Sequence, residues 1–196
     1  MRVTTRESVA LDFTVLLFDT LGYTRDEFVS IGHDADGEFA TVVKPPADAA
    51  KYVAGLPDRA NVYFGVNPTK GPARDRAGRG KATDVTRVSA VWADLDVKPG
   101  ACTDLDTAEA VVDDLSAILG TRPSAITHSG GGLHPYWPIS DGYISSAGVG
   151  RAQALVRRWG RLVAVVAEKR GARVDSVFDL ARMLRVPGTY NCKATQ

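Results

Sequence analysis

Cysteine is almost missing from this chain, and the two copies present, Cys102 and Cys192, lie 90 positions apart. That spacing fits neither a disulfide framework nor a clustered zinc site. Long apolar runs are missing too. No stretch of the 196 residues approaches the roughly 20 consecutive apolar residues that span a bilayer. The opening MRVTTRESVALDF has no apolar signal-peptide core, so a cytoplasmic protein is expected. An excess of one charge is also lacking, since 24 Lys and Arg face 23 Asp and Glu, a formal net charge of +1. Bulk charge therefore gives no reason to expect a polyanionic partner.

What is present is ordinary in amount and uneven in place. Hydrophobic residues make up 44% and charged residues 24%, the balance of a globular chain long enough for one large domain or two modules sharing a core. Residues 1–60 carry a net charge of −4, residues 61–150 of −2, and residues 151–196 of +7. A basic C-terminal segment is thus masked by an acidic N-terminal one. Such a segment suits phosphates, and an Arg-rich solvated helix accounts for it equally well.

The apolar spacing of ESVALDFTVLLFDTLG (7–22) predicts a helix stopped by glycine. FVSIGH and EFATVV around DADG predict a hairpin, and Pro46 starts a short helix. NVYFGV (61–66) reads as a buried strand. Residues 67–84 are rich in Gly, Pro and basic residues, and alanine is the one apolar type among them. They predict a long loop whose Lys70, Arg74, Arg76, Arg79 and Lys81 contact template or phosphate. A strand over 85–96 follows, then a helix over 103–120 capped by Thr103 with acids in its first turn. SAITHS and HPYWPI read as strands joined through three glycines, and residues 145–170 as a long helix carrying Arg151, Arg157, Arg158 and Arg161. Alternating strands and helices point to α/β or α+β modules.

Three constellations carry chemistry. In AVWADLDVKPG, Asp94 and Asp96 sit two apart at a strand end. Strand side chains alternate, so both carboxylates share one face and repel unless a cation lies between them. Divalent ions with oxygen ligands answer that need, and removing one acid should then hold or raise metal-free stability. A solvated turn also accounts for the pair, because Lys98-Pro99-Gly100 follows. In SGGGLHPYW, the glycines let backbone approach an anion, with His134 opening the next strand. A hairpin turn with an incidental histidine is the alternative. In VDSVFDLARMLRVPGTYNCK, Arg182 and Arg185 are spaced i, i+3, one face of a helical turn. Two guanidiniums there suit a polyphosphate, or else pair with Asp175 and Asp179.

The order DLD, SGGGLH, VD and R..RVPGTYNCK resembles the archaeo-eukaryotic primase superfamily, specifically the primase-polymerase (prim-pol) domains of phage and plasmid replication proteins. The similarity runs from about Asn61 to Lys193. The family motifs fall on Asp94-Leu95-Asp96, Gly132-Leu133-His134 and Val174-Asp175. The resemblance implies an α+β fold, with an N-terminal α/β module packed on an RNA-recognition-like sheet module and the active site in the cleft between them.

It also implies a DNA primase and DNA polymerase, working by template-directed nucleotidyl transfer from dNTP or NTP on single-stranded DNA. Asp94, Asp96 and Asp175 would hold two Mg²⁺ or Mn²⁺ ions. Gly132 and His134 would meet the triphosphate, joined by Arg182, Arg185 and Lys193 through their place in the tail. Asp179 is the alternative third acid, less suited because it sits in a helical turn with Arg182, whereas Asp175 follows an apolar strand-like residue. Residues 1–196 would form one catalytic domain, the N-terminal part of a longer replication protein, with a helicase domain or subunit as a replisome partner. A phage origin would place it in the host cytoplasm, and heavy Ala, Val, Arg and Gly usage is compatible with one. Two other functions fit parts of the pattern. A metal-dependent nucleotide-sugar transferase also uses Asp-x-Asp, and a non-catalytic replication-initiator module would bind DNA without synthesis.

Overall fold

A computed structural model describes residues 5–71, 80–176 and 178–192. The chain opens with α1 (Arg6–Val15), where Thr5 and Ser8 form a reciprocal capping box. A π-helical turn, Leu16–Thr20, carries the helix on to the expected glycine stop. The hairpin is β1 (Val29–His33) and β2 (Ala40–Lys44), and α2 (Pro46–Ala54) starts on its proline. β3 (Val62–Gly65) pairs antiparallel with β1.

The second half begins with β4 (Ala90–Trp92) and β5 (Leu95–Asp96), followed by α3 (Leu105–Leu119). A hairpin of β6 (Ala125–His128) and β7 (Gly132–Pro138) precedes α4 (Val149–Lys169) and β8 (Met183–Arg185). All strand pairings inside the two sheets are antiparallel. One sheet has the order β2-β1-β3-β8. In the other, β7 pairs with β6 along one edge and with β4 and β5 along the other. The C-terminal strand β8 therefore returns to close the N-terminal sheet.

Three sequence expectations need correction. The strand expected over 85–96 begins only at Ala90, because Val85 and Arg87 make isolated bridges to Thr69 and Tyr143 instead. It is also broken between Trp92 and Leu95, where Pro135 lies opposite Ala93 and has no N–H to give the ladder. The cap of α3 is Asp104, whose carboxylate accepts from the Thr107 backbone N–H at 2.7 Å, in place of Thr103. The chain's second Asp-Leu-Asp, Asp104-Leu105-Asp106, is thus a helix N-terminus. Arg182 and Arg185 do not share a helical turn. Arg182 precedes β8 and Arg185 ends it.

Alternation along β4 and β7 decides what faces what. Val91, Ala93, Leu95, Leu133 and Trp137 pack into one core with α3 and α4. Ala90, Trp92 and Tyr136 point the other way and join the core of α1, α2 and the first sheet. The ring of Tyr136 meets Phe64 of β3 at 6.4 Å between centroids. Trp159 of α4 ties the layers together by donating its indole N–H to the Trp92 carbonyl at 2.5 Å. By the same alternation, Asp94, Asp96 and His134 fall on the face that carries Trp92 and Tyr136.

One buried ion pair fastens the segment before β4 to the N-terminal half. Arg87, 5% exposed, reaches both carboxylate oxygens of Glu27 at 3.0 Å and the carbonyls of Leu21 and Gly22. Removing one partner leaves the other charge buried without compensation. Arg87→Met should therefore cost about 3–5 kcal/mol in urea unfolding, and adding Glu27→Met should recover most of it. A loss below about 1 kcal/mol for the single variant would mean that the pair behaves as a surface bridge.

Candidate active site

The face shared by Asp94, Asp96 and His134 opens into a cavity of about 450 Å³ between the two sheets. One wall is the second sheet, with Asp94, Asp96, Val97, Lys98 and His134. The other is the first sheet, with Tyr63 of β3 and residues 182–185 around β8. Trp92 pairs with Tyr136 and Leu95 with Leu133, so the intervening Asp94 stands opposite His134. His134 donates from Nε2 to Asp94 Oδ1 at 3.1 Å, and Arg182 donates from Nη2 to Oδ2 at 3.0 Å. The Asp94 side chain is 15% exposed. Burial by itself would raise its pKa, but the hydrogen bond and charge of His134 and the Arg182 guanidinium outweigh that and hold it at about 2.

Asp96 and Asp175 converge on a single cation position, and the Lys98 ammonium fills it, 2.7 Å from Asp96 and 3.1 Å from Asp175. These two hydrogen bonds raise the Lys98 pKa above its ordinary range. Two carboxylates meeting at one cation are a donor set that a hard divalent ion also accepts. Asp94 is turned instead to His134 and Arg182. Among the described residues no three or more His, Cys, Asp or Glu gather as a metal-binding group.

The protein's own cations thus relieve the repulsion expected between Asp94 and Asp96. Removing Asp94 would strip a charge from Arg182 and His134, so the expectation that metal-free stability holds or rises does not apply to this acid. One buried polar atom of a lining residue on each wall, His134 Nδ1 and Arg182 Nε, has no partner among the described residues, and both are closed off from solvent.

The other expected site residues sort differently. Arg185 is 4% exposed. Its guanidinium lies over the Tyr63 ring, 4.9 Å from the centroid, and donates to Tyr190, Asn61, Tyr63 and Asn191. It organises the cavity wall. Gly132 is required by the sheet, because a Cβ there would stand 2.0 Å from the Leu95 carbonyl oxygen. Gly130 and Gly131 make room for Asn191 of the tail, and Gly131 donates its N–H to Ser129. The backbone approach made by these glycines is therefore to protein.

Lys70 and Lys81 flank the basic loop, and neither lines the cavity. Lys70 donates its ammonium to the Thr83 carbonyl, and Lys81 its backbone N–H to Asp84. Arg74, Arg76, Arg79 and Lys193 lie outside the described residues. Sequence reading missed Lys98, Tyr63, Asn61 and Asn191. For Lys98 the signal was available, since the alternation that puts Asp94 and Asp96 on one face puts Lys98 there too.

No family model matches this sequence, and no curated protein does. Two solved structures are similar. A crystal structure of the catalytic domain of primase RepB′ in complex with initiator DNA shares a TM-score of 0.55 at 17% identity, over 95% of this chain and 80% of that one. The chain has the fold of a primase catalytic domain. A crystal structure of primase RepB′ gives a TM-score of 0.53 at 16% identity, over 94% of this chain and 51% of that one. No helix among the described residues is long and apolar enough to cross a membrane.

The Asp94 environment has a consequence for acid stability. Its folded pKa of about 2 lies below the ordinary 3.8, so its pairing stabilises the fold fully above pH ~4 and is lost as pH falls towards 2. The shift is worth about 2 kcal/mol. Between pH ~5 and ~2, wild type should lose about that much more unfolding free energy than Asp94→Asn. Parallel acid limbs for the two proteins would show that Asp94 is not paired in the fold.

Proposed function

We propose that this chain is a DNA primase-polymerase, joining dNTP or NTP on a single-stranded DNA template during phage or plasmid replication. The observation that carries the reading is the cavity itself. Carboxylates line one side, and His134 and Arg182, groups suited to a phosphate oxygen, line the same cavity. The primase catalytic fold supports it, as does the initiator DNA bound by the catalytic domain of RepB′.

In this reading His134 and Arg182 hold the triphosphate. Asp94 orients both, accepting from each. His134 keeps its Nε2–H on Asp94. Arg182 keeps one Nη2 bond on Asp94 and leaves the rest of its guanidinium for the phosphates. Asp94, Asp96 and Asp175 would hold two Mg²⁺ or Mn²⁺ ions, whose chemistry is to activate a 3′-hydroxyl and stabilise departing pyrophosphate. Lys98 keeps Asp96 and Asp175 compensated until it yields their carboxylates. Arg185, stacked on Tyr63 and tied to Asn61 and Asn191, keeps the first-sheet wall in register with the second. The protein's part is positioning and charge placement, so no nucleophilic triad is needed.

Primer extension and de novo synthesis on single-stranded DNA, with Mg²⁺ or Mn²⁺, test the reading. Asp96→Ala should abolish incorporation. His134→Ala should weaken apparent nucleotide affinity by about 1–3 kcal/mol while template affinity holds. Template binding without incorporation by wild type would favour a replication-initiator module. Near-normal extension by Asp96→Ala at saturating metal would remove Asp96 from the site.

A further inference from the structure

The basic C-terminal segment is not absorbed by the cavity. Helix α4 buries Ala152, Val156, Trp159, Gly160, Val163, Val166 and Ala167 against the rest of the fold. Arg151, Arg157, Arg158 and Arg161 are exposed on its outer side. At 100° per residue they span about a third of the helix circumference, and about 15 Å along its axis. From Val149 to Ala167 the helix carries no acid.

None of the four guanidiniums makes a hydrogen bond or ion pair to a described residue. Arg170, just past the end of the same helix, shows what a structural arginine here does, with two 2.7 Å bonds to Asp114. Arg157–Arg161 and Arg158–Arg161, at i+4 and i+3, repel each other and cost the helix stability. Two acids share grooves with the four, Asp141 beside Arg151 and Arg158, and Asp175 beside Arg157 and Arg161. Neither forms an ion pair with them.

The tract also leads somewhere. Arg157 and Arg161 line a groove of about 520 Å³ whose far side includes Asp175. Asp175 is bonded to Lys98, which lines the catalytic cavity. Four fork-shaped cations with no acceptor among the described residues, two of them in a groove joined to that cavity through the Asp175–Lys98 bond, fit a chain of phosphates.

We propose that the exposed arginine face of α4 is a binding tract for the phosphate backbone of single-stranded DNA, leading past Asp175 to the catalytic cavity. The position of the tract rests on the reading that the cavity works on nucleic acid. Its binding can be measured without any synthesis.

The test uses a fluorescein-labelled oligothymidylate and the full chain, with anisotropy titrations from about 50 to 200 mM salt. The variant replaces all four arginines with glutamine, which keeps helix propensity at exposed positions, and its thermal unfolding is checked against wild type. A matching Arg→Lys variant preserves the charge. If the tract binds phosphates, the glutamine variant should bind at least about tenfold more weakly at low salt, and its log–log salt slope should shrink by up to about 3, from ~0.7 per lost contact. The lysine variant should keep most of the slope. Equal affinity and slope for wild type and the glutamine variant would overturn the tract, as would wild type that does not bind. The outcomes separate from those of the polymerase reading. Binding through the tract without incorporation would leave the tract standing and sink the polymerase. Incorporation with unchanged glutamine-variant binding would do the reverse.

Discussion

Asp94 is a mostly buried carboxylate between two sheets, and its compensation is the constraint on which the site depends. His134 reaches it from the neighbouring strand β7, and Arg182 from the approach to β8 on the other sheet. The first contact is a cross-strand pair set by register. The second is a bridge between the two halves of the fold. A carboxylate that is buried needs partners of both kinds, because burial alone would neutralise it. The same two bonds fix the orientation of the groups that face the cavity.

The cavity can exist because one sheet face changes character along its length. Ala90, Trp92 and Tyr136 are core, and the next positions on that face are Asp94, Asp96 and His134. The strands continue past the point where the two halves touch, and polar side chains replace apolar ones there. Pro135 breaks the ladder opposite Ala93 without shifting the register. Asp94 therefore keeps its place across from His134. Arg185 then holds Tyr63, Asn61, Tyr190 and Asn191 in one network, so the tail after β8 becomes part of the wall.

Charges that cancel locally in the cavity and stay uncompensated on α4 explain why the net charge is so uninformative. Acids and bases are sorted in space, with Asp94, Asp96 and Asp175 met by Lys98 and Arg182, and four arginines of α4 forming no ion pair with a described acid. Arg87 and Arg170 belong to a third group, each spent on a structural carboxylate. Similar side chains thus serve the site, the surface and the fold, and only their neighbours distinguish them.

Much of this was legible in the sequence. Local rules placed the hairpin around DADG, the proline start of α2 and the glycine-linked β6–β7 hairpin, since each depends on residues close in the chain. Alternation alone put Asp94 and Asp96 on one face, and motif order pointed to the primase fold. Alternation also contained Lys98, which was read as part of a turn. Other features required tertiary structure. That Arg182 pairs with Asp94, 88 positions away, that Arg185 is buried on Tyr63, and that Gly132 serves its neighbour β5 all follow from strands meeting across the fold. Spacing in the chain carries i+2 and i+3 relations, whereas the compensation of a buried charge is decided by whichever distant group the packing brings within 3 Å, here His134 at 3.1 Å and Arg182 at 3.0 Å.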